Sequence, residues 1–303
     1  MPSNEVTVRV PAKVNLQLSV GPRREDGFHQ LATVFHAVGL FDDVRARAAE
    51  AGAGITITCA GEGQESVPLD SSNLAWRAAE LLAGAAGLAP DVRLHLDKRI
   101  PVAGGMAGGS ADAAGALLAC DALWGLDTPR AQLDELCAEL GSDVTFALHG
   151  GTAIGTGRGE QLTRVLAKGS FHWVFALAAE GLSTAAVYAE CDRLREGREV
   201  PDPSVAETLM QALRAGDPAL LGKALQNDLQ EAAFSLRPTL KRVIDAGEEC
   251  GALGGIVSGS GPTCAFLARS AEHALDIAVS LTSTGLVRSV KRSSGPVPGA
   301  RVI

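Results

Sequence analysis

The residues best suited to chemistry lie in a glycine-rich stretch at 101–119, which reads PVAGGMAGGSADAAGALLA. Glycines lack a Cβ atom, so their backbone N–H groups can close around an anion. The stretch continues into a helix that we expect to begin near Ser110, and the unpaired N–H groups at a helix N-terminus favour a phosphate. The sequence therefore predicts a phosphate-binding loop.

Two well-known phosphate loops do not fit this stretch. A dinucleotide-binding fingerprint needs a second Gly two residues after the first, but Met106 stands two residues after Gly104. A Walker A loop needs Lys and then Ser or Thr after its second Gly, but Ser110 and Ala111 follow Gly109. The positive charge must therefore come from elsewhere in the chain. A tight turn before a core helix remains the alternative without a ligand.

Two charged residues elsewhere are candidates to complete such a site. Lys13 lies between two predicted strand segments, and Asn15 is two residues on, so both can project from one face. Lys13 could equally be an exposed hairpin lysine. Asp143 follows Gly141 in GSDVTFAL, where an Asp is often only a helix cap or turn former. The residues alone leave these alternatives open.

Apolar periodicity predicts the elements that position these residues. We expect strands at 6–10, 14–20, 33–40, 54–60, 91–97, 171–178, 254–259, 263–268 and 286–292. We expect helices at 71–87, 110–124, 128–141, 204–215, 217–233, 237–250 and 271–284, with a loosely ordered tail at 293–303. Strands and helices mix without strict βαβ alternation, which favours an α+β fold over a doubly wound parallel sheet. The glycine-rich segment 149–161 is a candidate domain boundary or active-site turn.

Composition narrows the class of protein. A chain of 303 residues with 46% hydrophobic residues is large enough for two domains with full cores. The net charge of −8 argues against broad nucleic-acid binding, which needs many cationic side chains. The six cysteines show no zinc-site spacing and are interpreted as reduced core thiols. No leader pattern or membrane-length apolar run occurs, so we expect a cytoplasmic protein with no membrane partner.

Three stretches together resemble the GHMP kinases, the family of galactokinase, homoserine kinase and mevalonate kinase. PVAGGMAGGSADA resembles the central motif, VRVPAKVNLQLSV the first and GIVSGSGPTCAFLA the third. The resemblance implies a two-domain GHMP kinase fold, with an ATP-binding domain at 1–165 and a C-terminal domain at 166–303. It also implies that the turn 258–263 packs near the glycine loop. The implied ATP-binding residues are Pro101, Val102, Ala103, Gly104, Gly105, Met106, Ala107, Gly108, Gly109, Ser110 and Ala111.

The stretches PAKVNLQL, REDGFHQLATVF, GSDVTFAL and GLSTAAVY resemble one branch of the family more narrowly. The implied reaction transfers the γ-phosphoryl of ATP to the 2-hydroxyl of 4-diphosphocytidyl-2-C-methyl-D-erythritol, in the non-mevalonate isoprenoid pathway. Lys13 would face the transferred phosphoryl group, and Asp143 would accept the proton of the acceptor hydroxyl. A carboxylate beside a lysine stays ionised. The implied substrate-binding residues are Asn15, Phe28, His29, Phe35, Thr184 and Tyr188.

Within that resemblance, His29 would hydrogen-bond the edge of a cytosine and an aromatic ring would stack on its face, although a lone His beside a Phe is often only packed. Phosphoryl transfer also calls for Mg²⁺ with the ATP, and Ser110 is the first candidate to contact it, with Asp112 second. Arg158 could contact phosphate or be a solvated loop residue, and we prefer the second interpretation. We expect the remaining basic residues near these motifs to be surface charges: Arg23, Arg24, Lys98 and Arg99.

Two other functions remain open. The chain could be another GHMP kinase that acts on homoserine or mevalonate, although the cytosine-pocket residues argue against it. It could also be a catalytically silent relative that binds a ligand for regulation, although the presence of both Lys13 and Asp143 argues against that function. We expect a monomer or a homodimer.

Overall fold

The computed structural model describes residues 4–303, so the first three residues of the predicted N-terminal domain lie outside the described part. The strands are β1 (Glu5–Arg23), β2 (His29–Ala48), β3 (Ile55–Gly61), β4 (Val92–Lys98), β5 (Thr152–Thr156), β6 (Gln161–Arg164), β7 (Phe171–Leu177), β8 (Gln226–Asn227), β9 (Gly254–Val257), β10 (Cys264–Ala268), β11 (Ser289–Gly295) and β12 (Arg301–Val302). The helices are α1 (Leu74–Ala86), α2 (Gly108–Trp124), α3 (Arg130–Leu140), α4 (Ser142–His149), α5 (Thr184–Leu194), α6 (Glu207–Ala215), α7 (Pro218–Ala224), α8 (Gln230–Leu236), α9 (Thr239–Glu249) and α10 (Ala271–Ser283).

The first sheet is built on the long antiparallel pair β1 and β2, and its main path runs β12-β1-β2-β4-β3. The two strands predicted at 6–10 and 14–20 are in fact one continuous strand. Pro11 lies within it, opposite Phe41, at a shift in the pairing register. Such a shift leaves a residue without a partner in the regular ladder of hydrogen bonds. A proline can occupy such a position, because it has no N–H to donate. Lys13 and Asn15 lie just beyond this irregularity.

A second, four-stranded sheet follows the order β11-β7-β10-β9 and is entirely antiparallel. Helices pack on both sheets, and the buried apolar side chains form two main cores. The predicted α+β fold is confirmed. The first sheet also receives β8 and β12 from the second half of the chain, both paired with β1.

The predicted loose tail is wrong. Val297 N–H donates to Ala37 O, Ala300 N–H donates to Ala147 O, and the strand β12 pairs with β1. These bonds join the tail to residues far away in sequence, so the local composition of the tail gave no sign of them. The end of the chain is thereby part of the first sheet.

The helix predicted at 71–87 is confirmed as α1. Asn73 caps it by accepting the N–H of Ala75, and Gly87 ends it in the left-handed conformation with φ of 68°.

The single helix predicted at 217–233 is wrong, because β8 interrupts it. There the Asn227 side chain donates to Val257 O and Gly259 O, and accepts from Leu229 N. The two bonds that Asn227 donates are tertiary and tie this segment to the end of β9 and the turn after it.

All six cysteines are free, as predicted, and four of them are buried while Cys59 and Cys250 are half-buried. Burial raises the pKa of the Cys137 thiol to about 12, so this thiol stays protonated at neutral pH. Within residues 4–303, none of the helices has the length and apolar character needed to span a bilayer.

Candidate active site

The glycine loop connects β4 to α2 and forms one wall of a cavity of about 290 Å³. Helix α2 begins at Gly108, two residues before the predicted start. Six of the eleven predicted loop residues line the cavity, namely Ala103, Gly104, Gly105, Ala107, Gly108 and Gly109. The cavity therefore faces both the loop and the first turn of the helix, where backbone N–H groups and the helix dipole favour an anion.

The other predicted loop residues have different surroundings. Met106 and Ala111 are completely buried in the core, so their side chains pack rather than bind a ligand. The carbonyl of Met106 accepts the backbone N–H of Lys13 at 3.3 Å, which ties the loop to β1. Pro101 is buried, Ser110 is half-buried, and Val102 lines a smaller neighbouring cavity of about 190 Å³.

Lys13 is a cationic residue that lines the same cavity as the glycine loop. Its ammonium group lies 2.6 Å from Asn15 Oδ1 and 3.6 Å from Asp143 Oδ2. The Asn15 amide in turn donates to the Thr33 hydroxyl, which donates to the carbonyl of Gln17. The Lys13 side chain is almost buried, whereas that of Asp143, in the first turn of α4, is 31% exposed. The structure thus brings the three predicted polar residues together on the wall facing the loop.

The turn between β9 and β10 packs against the glycine loop, as expected from the resemblance. The Ser258 hydroxyl donates to Gly105 O at 3.0 Å, and Thr263 N–H points at Gly104 O at 3.4 Å. Gly259 and Ser260 of the same turn line the cavity. Residues from both halves of the chain therefore build one site.

Gly105 is the point of closest approach between the loop and this turn. Its φ is +74°, and an added Cβ would lie 2.1 Å from the Ser258 carbonyl oxygen. We expect Gly105→Ala to lower the free energy of unfolding by more than about 1–2 kcal/mol, the cost of a left-handed alanine alone, and to raise the KM for ATP. Urea unfolding and steady-state kinetics measure the two effects.

Gly84→Ala in the last turn of α1 is the matched control, because an added Cβ there meets nothing within 4 Å. It should stabilise the protein by up to about 1 kcal/mol, the difference in helix propensity. Equal stability of the two variants would mean that the loop and the turn do not need their close contact.

The expectation that Lys98 is a surface charge is wrong. Its side chain is buried, and its ammonium group lies 2.5 Å from both Asp42 Oδ2 and Asp112 Oδ2. The other oxygen of Asp42 accepts the backbone N–H groups of Arg99 and Ile100. This cluster of Lys98, Asp42 and Asp112 joins the end of β4 to the start of α2, the two ends of the glycine loop. The predicted surface position holds for Arg23, Arg24 and Arg99.

Burial has opposite effects on the two kinds of charge in this cluster. It would lower the pKa of Lys98, but the carboxylates of Asp112 and Asp42 outweigh it and raise that pKa. Burial raises the pKa of Asp112 to about 7, only partly offset by Lys98, because two carboxylates share one ammonium group. Asp112 Oδ1 has no hydrogen-bond partner among the described residues.

A larger cavity of about 740 Å³ adjoins the first and contains the predicted base-binding residues His29, Thr184 and Tyr188. His29 Nε2 lies 2.7 Å from Asp192 Oδ1, and its ring centroid lies 5.2 Å from that of Tyr188. Phe28 lies at the edge of this cavity with 54% of its surface exposed. Burial raises the pKa of the Tyr188 phenol, so this ring stays neutral at ordinary pH.

Phe35 occupies a different place from the other predicted aromatic residues. It is buried, stacks on Phe146 with ring centroids 4.9 Å apart, and lines the first cavity, not the second. The Lys13 ammonium lies 5.7 Å from the centre of its ring. Phe35 therefore packs beside Lys13 and does not line the second cavity. The Thr184 hydroxyl lies 2.9 Å from that of Ser260.

Sequence reasoning missed Thr33, Asp192 and Asp42. Thr33 and Asp42 lie in β2, and Asp192 lies in α5, each far along the chain from the residue it contacts. Thr33 lies within the stretch REDGFHQLATVF, but only Phe28, His29 and Phe35 were singled out there, and none of the quoted motifs includes Asp42 or Asp192. Their role comes from strand register and helix packing, so only the folded chain identifies them.

Comparison with known proteins identifies a family. The model of the GHMP kinases N terminal domain matches residues 73–151, and that of the GHMP kinases C terminal domain matches residues 209–285. A protein of Mycobacterium tuberculosis named 4-diphosphocytidyl-2-C-methyl-D-erythritol kinase is 56% identical over 303 residues, covering 100% of this chain and 94% of that protein. A protein of the same name from Mycolicibacterium smegmatis is 57% identical, covering 99% of this chain and 93% of its own length.

A solved structure gives the same indication. The crystal structure of a 4-(cytidine 5'-diphospho)-2C-methyl-D-erythritol kinase superposes with a TM-score of 0.76 at 35% sequence identity. The match covers 95% of this chain and 98% of that one. Sequence and fold therefore agree on the relatives of this chain along nearly its whole length.

Proposed function

The chain belongs to the GHMP kinase family, and on that premise we propose that it transfers the γ-phosphoryl group of ATP to the 2-hydroxyl of 4-diphosphocytidyl-2-C-methyl-D-erythritol. One observation carries the proposal. The Lys13 and Asp143 pair faces the glycine loop across a cavity that adjoins a second, His- and Tyr-lined cavity. The first cavity suits phosphoryl transfer, and the second suits a nucleobase.

The proposed mechanism divides the work between backbone and side chains. The N–H groups of the loop and of the first turn of α2 would hold the phosphates of ATP. Asp143 would accept the proton of the acceptor hydroxyl, while Lys13, fixed by Asn15, would stabilise the negative charge on the transferred group. Such a reaction relies mainly on positioning and electrostatics, which explains why one buried lysine can replace the Walker lysine.

Base recognition would rest on His29 and Tyr188. His29 Nε2 lies 2.7 Å from Asp192 Oδ1, and in the tautomer in which Nε2 donates to that carboxylate, Nδ1 can accept a hydrogen bond. An acceptor matches the 4-amino group of cytosine but not the 4-oxo group of uracil. The ring of Tyr188 offers an apolar face for stacking, as aromatic residues do in other sites that bind single bases.

Mg²⁺ would enter with ATP and offset the negative charge of its phosphates. Mg²⁺ that enters with a nucleotide keeps several waters and needs only one or two protein ligands. Ser110, in the first turn of α2, remains the proposed protein contact. Asp112 remains the second candidate, because the Lys98 ammonium lies 2.5 Å from its Oδ2 and only Oδ1 is without a partner among the described residues.

The wider setting is proposed on the same premise. The chain would divide into domains at 1–165 and 166–303, with the active site between them, and would act in the cytoplasm as a monomer or homodimer. The glycine loop and the Lys13–Asp143 pair come before this boundary, and the turn that packs on the loop comes after it.

Tyr188→Ala is expected to raise the KM for the cytidine substrate by about 10-fold or more while the KM for ATP stays nearly constant. Stacking on a base contributes about 1–3 kcal/mol, and Tyr188 lines the second cavity beside His29. Steady-state kinetics with each substrate varied in turn measures both constants. Equal increases in both would remove Tyr188 from the base site.

The proposed function itself is tested by ADP release from the purified protein with Mg·ATP. The acceptors to compare are 4-diphosphocytidyl-2-C-methyl-D-erythritol, homoserine, mevalonate and none. Turnover with the cytidine substrate alone is the expected result. Turnover with another acceptor would contradict the proposed base site but not the proposed phosphoryl-transfer site. No turnover with any acceptor would favour a catalytically silent relative that binds a ligand.

A further inference from the structure

The two cavities of the active site share only part of their walls. Four residues line both of them, namely Leu31, Arg158, Thr184 and Tyr188. One of these four carries a charge, the guanidinium of Arg158. A ligand with its base in the second cavity and its reacting hydroxyl near Asp143 must therefore pass this cation.

The surroundings of Arg158 leave its charge available. Its guanidinium carbon lies 5.3 Å from the centre of the exposed Phe28 ring, a cation–π contact at the edge of the second cavity. Within residues 4–303, no Asp or Glu lies within ion-pair distance of that guanidinium. Arg195, by contrast, has an acidic partner, since its guanidinium lies 3.0 Å from Asp228 Oδ2. An unpaired guanidinium between two cavities is suited to an anion.

The backbone of Arg158 is held in place relative to the proposed base. Its carbonyl accepts the Ser142 hydroxyl at 2.9 Å, and its N–H donates to Glu160 Oε2 at 2.7 Å. Ser142 directly precedes Asp143 at the start of α4. The turn between β5 and β6 is therefore tied to the helix that positions the carboxylate, and Arg158 keeps its place beside the junction.

We propose that Arg158 binds the diphosphate group of the acceptor substrate and so positions its hydroxyl at Asp143. This inference rests on the proposed function, because that function requires a diphosphate between the base and the reacting alcohol. The planar fork of a guanidinium matches phosphate oxygens in a two-bond geometry. Arg158 is thus a substrate-positioning residue and not only a solvated loop residue, as the sequence suggested.

The test compares the binding of CDP and cytidine, without ATP, to the full chain by isothermal titration calorimetry. The variants are Arg158→Gln and the control Arg164→Gln, which lies on the same hairpin at the end of β6 but outside both cavities. The wild type should bind CDP more tightly than cytidine. Arg158→Gln should weaken CDP about tenfold, the scale of a lost charge-assisted contact, and leave cytidine unchanged; Arg164→Gln should change neither. Kinetics should show a higher KM for the acceptor at an unchanged KM for ATP.

Two results would overturn the assignment while the proposed function stands. Unchanged CDP binding by Arg158→Gln would place the diphosphate elsewhere, and equal weakening of CDP and cytidine would mean that Arg158 acts on the base through Phe28. If the wild type bound neither ligand, the proposed function would fail and this inference with it.

Discussion

Asp143→Asn is expected to reduce kcat by about 10²–10⁴-fold, the usual contribution of a general base, with little change in the KM for ATP. The carboxylate lies 3.6 Å from the Lys13 ammonium and is partly exposed to the cavity, where an acceptor hydroxyl can reach it. An amide of the same shape keeps the packing of α4 but cannot accept the proton. Steady-state kinetics on the folded variant separates kcat from both KM values.

Asp134→Asn is the matched control for this experiment. Asp134 lies on α3, pairs with His149 and is outside the cavity, so its loss should leave kcat unchanged. Near-normal turnover by Asp143→Asn would show that Asp143 only orients Lys13 or the substrate. A similar loss of activity in both variants would point to a general effect of removing an acidic residue from these helices.

Lys98→Met is expected to lower the free energy of unfolding at pH 8 by about 3–5 kcal/mol, because it leaves buried carboxylates without a counter-charge. Lys98 is 3% exposed, and Asp42 and Asp112 are 0% and 2% exposed. Methionine fills much of the same volume, so the loss measures charge more than packing. Urea unfolding followed by circular dichroism gives the value. The KM for ATP should rise as well, since the cluster joins the two ends of the glycine loop.

The control is Lys241→Met, which removes an exposed ion pair with Asp245. Such pairs contribute less than about 1 kcal/mol, so this variant should unfold almost as the wild type does. The double variant Lys98→Met/Asp112→Asn should recover part of the lost stability, because it removes one of the two unpaired carboxylates. A single variant as stable as the control would show that water or a rearranged side chain neutralises the cluster.

The same cluster predicts a pH dependence of stability. Burial raises the pKa of Asp112 from its ordinary 3.8 to about 7, so the native state retains this proton over a range in which the unfolded chain has lost it. Proton binding then favours the native state, and its contribution to stability falls as the pH rises from about 4 to about 7. Asp112→Asn should abolish this part of the slope in urea unfolding. An unchanged slope would assign it to other groups.

The amino-acid sequence predicted a phosphate loop, the α+β class and, through the family resemblance, the residues of the proposed chemistry; of these, the α+β class is confirmed. The evidence for each of these lies in residues that are close together in the sequence. Four glycines in six residues before an Ala-rich segment favour a turn of close approach that leads into a helix, and alternate residues of a strand share a face. Lys13 and Asn15 were therefore predicted together, and the structure places them in contact.

The surroundings of those residues were decided only by the tertiary structure. Lys98 looked like a surface charge because its two carboxylates come from β2 and α2, 56 and 14 residues away. Asp192 reaches His29 across 163 residues, and the tail joins the first sheet at β1. Burial and charge pairing depend on which distant segments pack together, and the local composition does not show which segments these are. The sequence by itself determined which groups can react, whereas the packing of β2, α2 and α5 decided which groups hold them in place.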